Sequence, residues 1–100
     1  MTQAVTLDPY ILDVLMRDLV GHDHAPSAFL VYLWLWGKTG GGRRRYAASL
    51  ATIAAETGVS KSSVQNAVRQ LSQRRRLIAV TRDDGPTAAP TYEVLTPWLP

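Results

Sequence analysis

The stretch that most constrains this 100-residue chain runs from Ser49 to Leu71. It reads Ser-Leu-Ala-Thr-Ile-Ala-Ala-Glu-Thr-Gly-Val-Ser-Lys-Ser-Ser-Val-Gln-Asn-Ala-Val-Arg-Gln-Leu. Two short runs with helical spacing meet at Gly58. Leu50, Ile53 and Ala54 give the first run an apolar face, and Val64, Val68 and Leu71 recur at i, i+4 and i+7 in the second. Ser49 and Ser60 stand where helix N-caps belong, each able to satisfy a free backbone N–H. Gly58 suits a sharp turn with positive φ. Val59 is an apolar plug for that turn, and the small Ala54 lets the second helix cross close above the first. The sequence predicts a helix from Ser49 to near Thr57-Gly58, then another from Lys61 to about Gln73.

The outward face of the second helix carries the chemistry. At about 100° per residue, with Lys61 at zero, Gln65, Arg69, Ser62, Gln73 and Asn66 all fall within about 140°. Val64, Val68 and Leu71 fall at about 280–340° on the same wheel. The outward stripe is therefore hydroxyl, amide and guanidinium, with no acid. Arg suits guanine, Gln and Asn suit adenine, and Ser serves either. A merely solvated helix more usually mixes Glu with Lys.

The formal net charge of +3 hides a strong segregation. Residues 1–37 hold one base and four acids, net −3; residues 38–82 hold ten bases and one acid, net +9; residues 83–100 hold three acids, net −3. Nine of the eleven bases are Arg, the cation that pairs bidentately with phosphate and guanine. A charge run alone indicates only a solvated basic surface compatible with polyanions. Its coincidence with the 49–71 stretch is what makes it informative.

Around this stretch the chain reads as one domain, mainly α with a small β-hairpin, an α+β class. N-terminal helices span about 8–37. Asp8-Pro9 opens the first, with Ile11, Leu12, Leu15 and Leu19 as its apolar row and Gly21 as its end. His22-Asp23-His24-Ala25 is a connector, and Pro26-Ser27 opens a helix to about Trp36 or Gly37. Thr39-Gly40-Gly41-Gly42 reads as a flexible breaker. Arg43 to Ala47 reads as a short strand or extended arm. Leu77–Arg82 and Thr91–Leu95 read as a hairpin, about 77–95, around the turn Asp83-Asp84-Gly85-Pro86. Residues 96–100 read as a tail.

Residues 49–71 resemble the helix-turn-helix of bacterial DNA-binding proteins, and the following hairpin makes the chain similar to the winged form. The resemblance covers roughly residues 26–96. It extends to small winged transcriptional regulators and to the winged domains of plasmid and phage replication initiators. It implies a winged helix-turn-helix fold, with the helix-turn-helix at about 49–73, and double-stranded DNA as partner. The helix at about 61–73 would enter the major groove. Ser62, Gln65, Asn66 and Arg69 would then face base edges, while Lys61, Ser63 and Gln73 meet phosphates. Arg43, Arg44 and Arg45 before the motif, and Arg74, Arg75 and Arg76 after it, would hold the backbone, giving affinity rather than sequence choice. Wings of this family often carry cations, whereas here Asp83 and Asp84 form the tip and Arg82 is the base beside it. Either the wing points away from DNA, or it binds another protein, or DNA binding is weaker than the family implies. The resulting expectation is sequence-specific DNA binding by a small transcriptional regulator. Replication initiation, or a protein-interaction module without DNA binding, are the alternatives.

Other features weigh less. Phe29 to Trp36 is apolar on every side of a helix and must be covered all round. Its cover is either the domain core or a second copy, with Phe29, Tyr32, Trp34 and Trp36 as homodimer interface candidates. His22, His24, Asp18 and Asp23 are potential metal ligands, but follow no closed-site spacing, so no metal or cofactor is expected. No nucleophile–base–orienter set is recognisable, so no catalytic residue is assigned and no enzyme is expected. Without Cys there is no disulfide framework. The start lacks a signal-peptide pattern and no apolar run reaches the roughly 20 residues of a membrane span, so a cytoplasmic protein is expected.

Overall fold

The computed structural model describes residues 4–82 and 88–100, so the expected turn at Asp83–Pro86 lies outside the described residues. The first helix starts as the sequence indicates. Pro9 takes the first helical position, and the Tyr10 amide donates to Asp8 Oδ1 at 2.9 Å. The helix then winds in wide i→i+5 turns over Ile11–Leu15 and Arg17–His22. Ile11, Leu15 and Leu19 are buried, but Leu12, expected in the same row, is 45% exposed. Nor does Gly21 end the helix. The winding continues through His22, and the left-handed residue is His24, at φ 54°.

Helix α1, Pro26–Lys38, is the centre of the fold. Ala28, Phe29, Val31, Tyr32, Leu35 and Trp36 are all buried in the main core. Cover comes from the N-terminal helix, from the two helices of the 49–71 stretch and from the last strand. Each fully buried aliphatic side chain here contributes about 1.5–3 kcal/mol relative to exposure. Polar tips are satisfied at the edges. Tyr32 Oη donates to Leu95 O at 2.9 Å, and Trp36 Nε1 donates to Thr6 O at 2.8 Å.

The glycine run after α1 is an ordered turn, not a loose breaker. Thr39 is fully buried, and its Oγ1 donates to Leu35 O at 2.7 Å and accepts from the Gly42 amide at 3.1 Å. The Arg43 and Arg44 amides both donate to Thr39 O. Gly42 has φ 90°, and a Cβ there would sit 3.1 Å from Val94 O, so the run is glycine for backbone shape and close approach.

The remaining elements are β1 (Tyr46–Ala47), α2 (Leu50–Thr57), α3 (Lys61–Arg69), β2 (Ile78–Thr81) and β3 (Thr91–Val94). A wide turn, Gln70–Arg74, extends α3. The antiparallel sheet has the order β1-β3-β2, with Tyr92 paired to Tyr46 on one side and Val80 on the other. Ile78, Tyr92 and Val94 join the core. The tail is fastened as well: Trp98 stacks on Tyr10 at 4.6 Å, and its Nε1 donates to Asp8 Oδ2 at 3.0 Å.

Candidate nucleic-acid interface

The turn between α2 and α3 is built from local chemistry. Ser49 Oγ accepts from the Thr52 amide and caps α2; Ser60 Oγ accepts from the Ser63 amide and caps α3. Gly58 is left-handed, at φ 78°, and its amide donates to Ala54 O at 3.0 Å. Ala54 and Val59 pack against the core from partly buried positions. The consequence is a fixed rotation of α3. Val64, Ala67 and Val68 point inward, while Lys61, Ser62, Gln65, Asn66 and Arg69 are exposed along one face. Ser63 is half-buried, its hydroxyl 2.9 Å from Ser60 Oγ. On the exposed face Arg69 Nη1 donates to Asn66 Oδ1 at 3.3 Å.

Two grooves flank this face. Between α3 and the hairpin, Gln65, Arg69, Ser72, Gln73 and Arg82 surround a floor of Leu50, Val68 and Val80. The wide turn at Gln70–Arg74 carries Ser72 and Gln73 round into this groove. On the other side, His24 and Ser27 at the opening of α1 share a smaller groove with Ser63, Asn66 and Gln70. His24 and Ser27 were not singled out from sequence as interface residues. Their one local signal is the helix opening at Pro26-Ser27, which says nothing of its nearness to α3. Arg74 and Arg76 are exposed beyond α3.

Residues 25–75 match the sequence pattern of a family described as a helix-turn-helix domain. The chain belongs to that family. The match begins at the entry to α1 and ends just past the wide turn of α3; the strands β2 and β3 follow it. With that antiparallel pair behind α3, the fold is a winged helix-turn-helix. No curated protein and no solved structure matches the chain.

Within this winged helix-turn-helix, Arg75 has a different position from that expected. Its Nε donates to Asp23 Oδ2 and its Nη2 to Asp23 Oδ1, both at 2.6 Å. Gln70 Nε2 also donates to Oδ2, at 3.0 Å, and His22 Nδ1 lies 2.9 Å from Oδ1. The Asp23 side chain is 9% exposed, and the Arg75 guanidinium holds its carboxyl well below the usual carboxylate range. Arg75 thus pins the end of α3 to the N-terminal helix, with its Nε and Nη2 both engaged by Asp23. Asp23 is likewise engaged by protein groups.

The Arg43–Arg45 run is also displaced from the expected flank. Arg43 and Arg44 line a groove with residues 4–9, Trp36, Gly37, Gly40 and Gly41, at the far end of α1 from His24. Arg45 pairs with Glu93 at 3.6 Å. The ordered glycine turn directs the run there. The aromatic candidates for an interface between copies are largely internal: Phe29, Tyr32 and Trp36 are 7%, 0% and 6% exposed. Trp34 is half-buried, donating to Glu56 Oε1 at 3.1 Å and meeting Tyr46 edge-on. Their cover comes from the same chain. Among the described residues, no helix is long and apolar enough to cross a membrane.

Proposed function

We propose that this protein binds double-stranded DNA sequence-specifically and acts as a small transcriptional regulator, with α3 in the major groove. The observation that carries the reading is the α3 face. Lys61, Ser62, Gln65, Asn66 and Arg69 are exposed together, none is acidic, and the inward residues fix the helix rotation. Ser62, Gln65, Asn66 and Arg69 are the base-reading set. Arg69 suits guanine, while the amides of Gln65 and Asn66 suit base edges generally. Lys61, Ser63, Gln73, Arg74, Arg76 and Arg82 are the phosphate set, joined by Ser27 and the α1 N-terminus, whose dipole favours an anion. Arg43, Arg44, Arg45 and Arg75 are left out, for the positions just described.

The test is selection of bound sequences from random duplex DNA, followed by affinity measured over a salt series. Arg69→Ala is expected to weaken the selected site by about 1–3 kcal/mol and relax preference at one base pair. Arg74→Ala is expected to weaken every duplex alike and reduce the salt slope by about one. No binding to any duplex at about 50 mM salt would overturn the reading, because a basic winged domain binds non-specifically there.

A further inference from the structure

We infer that Asn66 is a positioning residue for Arg69, and that Gln65 and Arg69 carry the base choice, reading adenine and guanine on neighbouring base pairs. This division of the base-reading set rests on α3 lying in the major groove, as proposed above. Gln65, Asn66 and Arg69 are all exposed on α3, but their hydrogen bonding differs. Arg69 Nη1 donates to Asn66 Oδ1 at 3.3 Å, an i,i+3 contact along the helix. The amide is held in that sense by chemistry, because its NH₂ turned inward would set donor against donor. Of the side-chain amides at 65, 66 and 70, those of Asn66 and Gln70 are engaged within the protein, and among the described residues that of Gln65 is not.

The two amides are therefore not equivalent before DNA arrives. Bidentate reading of adenine needs an amide oxygen for the base amine and an amide N–H for the ring nitrogen. Gln65 has both ends available. The Asn66 oxygen faces a cation instead, and an adenine amine brought to it would crowd its own N–H groups against those of the guanidinium. Arg69 loses little by the contact. Five N–H donors less one leave enough for the two-donor fork that suits guanine O6 and N7. A guanidinium already held by Asn66 gives up less side-chain freedom on meeting the base.

Placement on the helix agrees. Gln65 and Arg69 both line the groove between α3 and the hairpin, whereas Asn66 lines the other groove, with His24, Ser27 and Ser63. The Asn66–Arg69 bond thus reaches across the exposed face. Gln65 and Arg69 are four apart, so they stand nearly one above the other, separated by about 6 Å along the helix axis. Stacked base pairs repeat at about 3.4 Å, so the two side chains meet base pairs about one or two steps apart.

The experiment is selection from random duplex DNA with the wild type and with Gln65→Ala, Asn66→Ala and Arg69→Ala. Affinities for the selected site and its single-base variants then complete an Asn66–Arg69 double-mutant cycle. All three residues are exposed, and circular dichroism checks that each variant is folded. Wild type is expected to select a guanine lost in Arg69→Ala and, one or two pairs away, an adenine lost in Gln65→Ala. Asn66→Ala is expected to relax the same guanine as Arg69→Ala, lowering its preference by about threefold to tenfold. In the Arg69→Ala background it is expected to change nothing further. Asn66→Asp keeps an acceptor for the guanidinium, so it is expected to retain the guanine preference while binding every duplex more weakly. Loss of a separate base pair in Asn66→Ala, or additive losses in the cycle, would overturn the positioning role and make Asn66 a base reader itself. A base other than adenine at the position that Gln65→Ala relaxes would overturn the role of Gln65. Failure of the underlying reading looks different: the wild type then selects no site at all, which overturns both roles together.

Discussion

Two buried tyrosines show how a single polar atom decides the sign of a substitution. Tyr32 and Tyr92 are both fully buried, and burial pushes both hydroxyls up from the usual tyrosine range. Tyr32 Oη donates to Leu95 O, whereas Tyr92 Oη has no hydrogen-bond partner among the described residues. Tyr32→Phe is expected to lower stability by about 1 kcal/mol, because it orphans a carbonyl as well as losing the bond. Tyr92→Phe is expected to leave stability unchanged or raise it by up to about 1 kcal/mol. Urea unfolding midpoints of the two variants check this directly. Neither outcome is legible in sequence, since both residues present the same aromatic-with-hydroxyl choice. Only the position of Leu95 O distinguishes them.

At the scale of elements, the α2–α3 unit was legible almost entirely. Ser49, Gly58 and Ser60 take the roles their spacing indicates because capping and left-handed turns are governed by neighbours within four residues. Gly58→Ala tests this. No atom lies within 4 Å of a Cβ at that position, so the cost is backbone conformation alone. At φ 78° an alanine is expected to cost about 1–2 kcal/mol, seen as a lower thermal midpoint with packing unchanged. The N-terminal helix was less legible. A regular helical wheel puts Leu12 among the core residues, but the wide turns shift the rows, and Leu12 ends outside while Leu15 and Leu19 stay inside. The same widening after Arg69 places Gln73 in the groove beside Gln65 and Arg69. Which hydrogen bond a helical amide chooses, i→i+4 or i→i+5, depends on what packs against it and has no simple sequence signature.

For the whole molecule, Asp23 and Arg75 join residues 52 positions apart and fix the end of α3 to the N-terminal helix. The Asp23 carboxyl titrates lower in the folded chain than in the unfolded one. Its contribution is therefore fully present above the unfolded value near 4, and is lost as pH falls toward the folded value. Stability is expected to drop below about pH 4. Arg75→Ala is expected to cost about 2 kcal/mol at neutral pH and to flatten that acid limb, measured by urea unfolding across pH. By contrast, its effect on DNA affinity at equal folded fraction should be small. The sequence by itself determined the two capped helices, the sharp turn, the inward and outward faces of α3 and the hairpin after it, because each rests on neighbours close along the chain. The tertiary structure decided which cations remain available. Ten bases in residues 38–82 look alike in sequence. Folding commits Arg75 to Asp23 and turns Arg43 and Arg44 toward residues 4–9, while Lys61, Arg69, Arg74 and Arg76 stay exposed on or beyond α3. It also covered the aromatic helix from within and left Leu12, Met16 and Val20 outside. Burial and ion pairing depend on which distant elements meet, and composition along the chain does not carry that information.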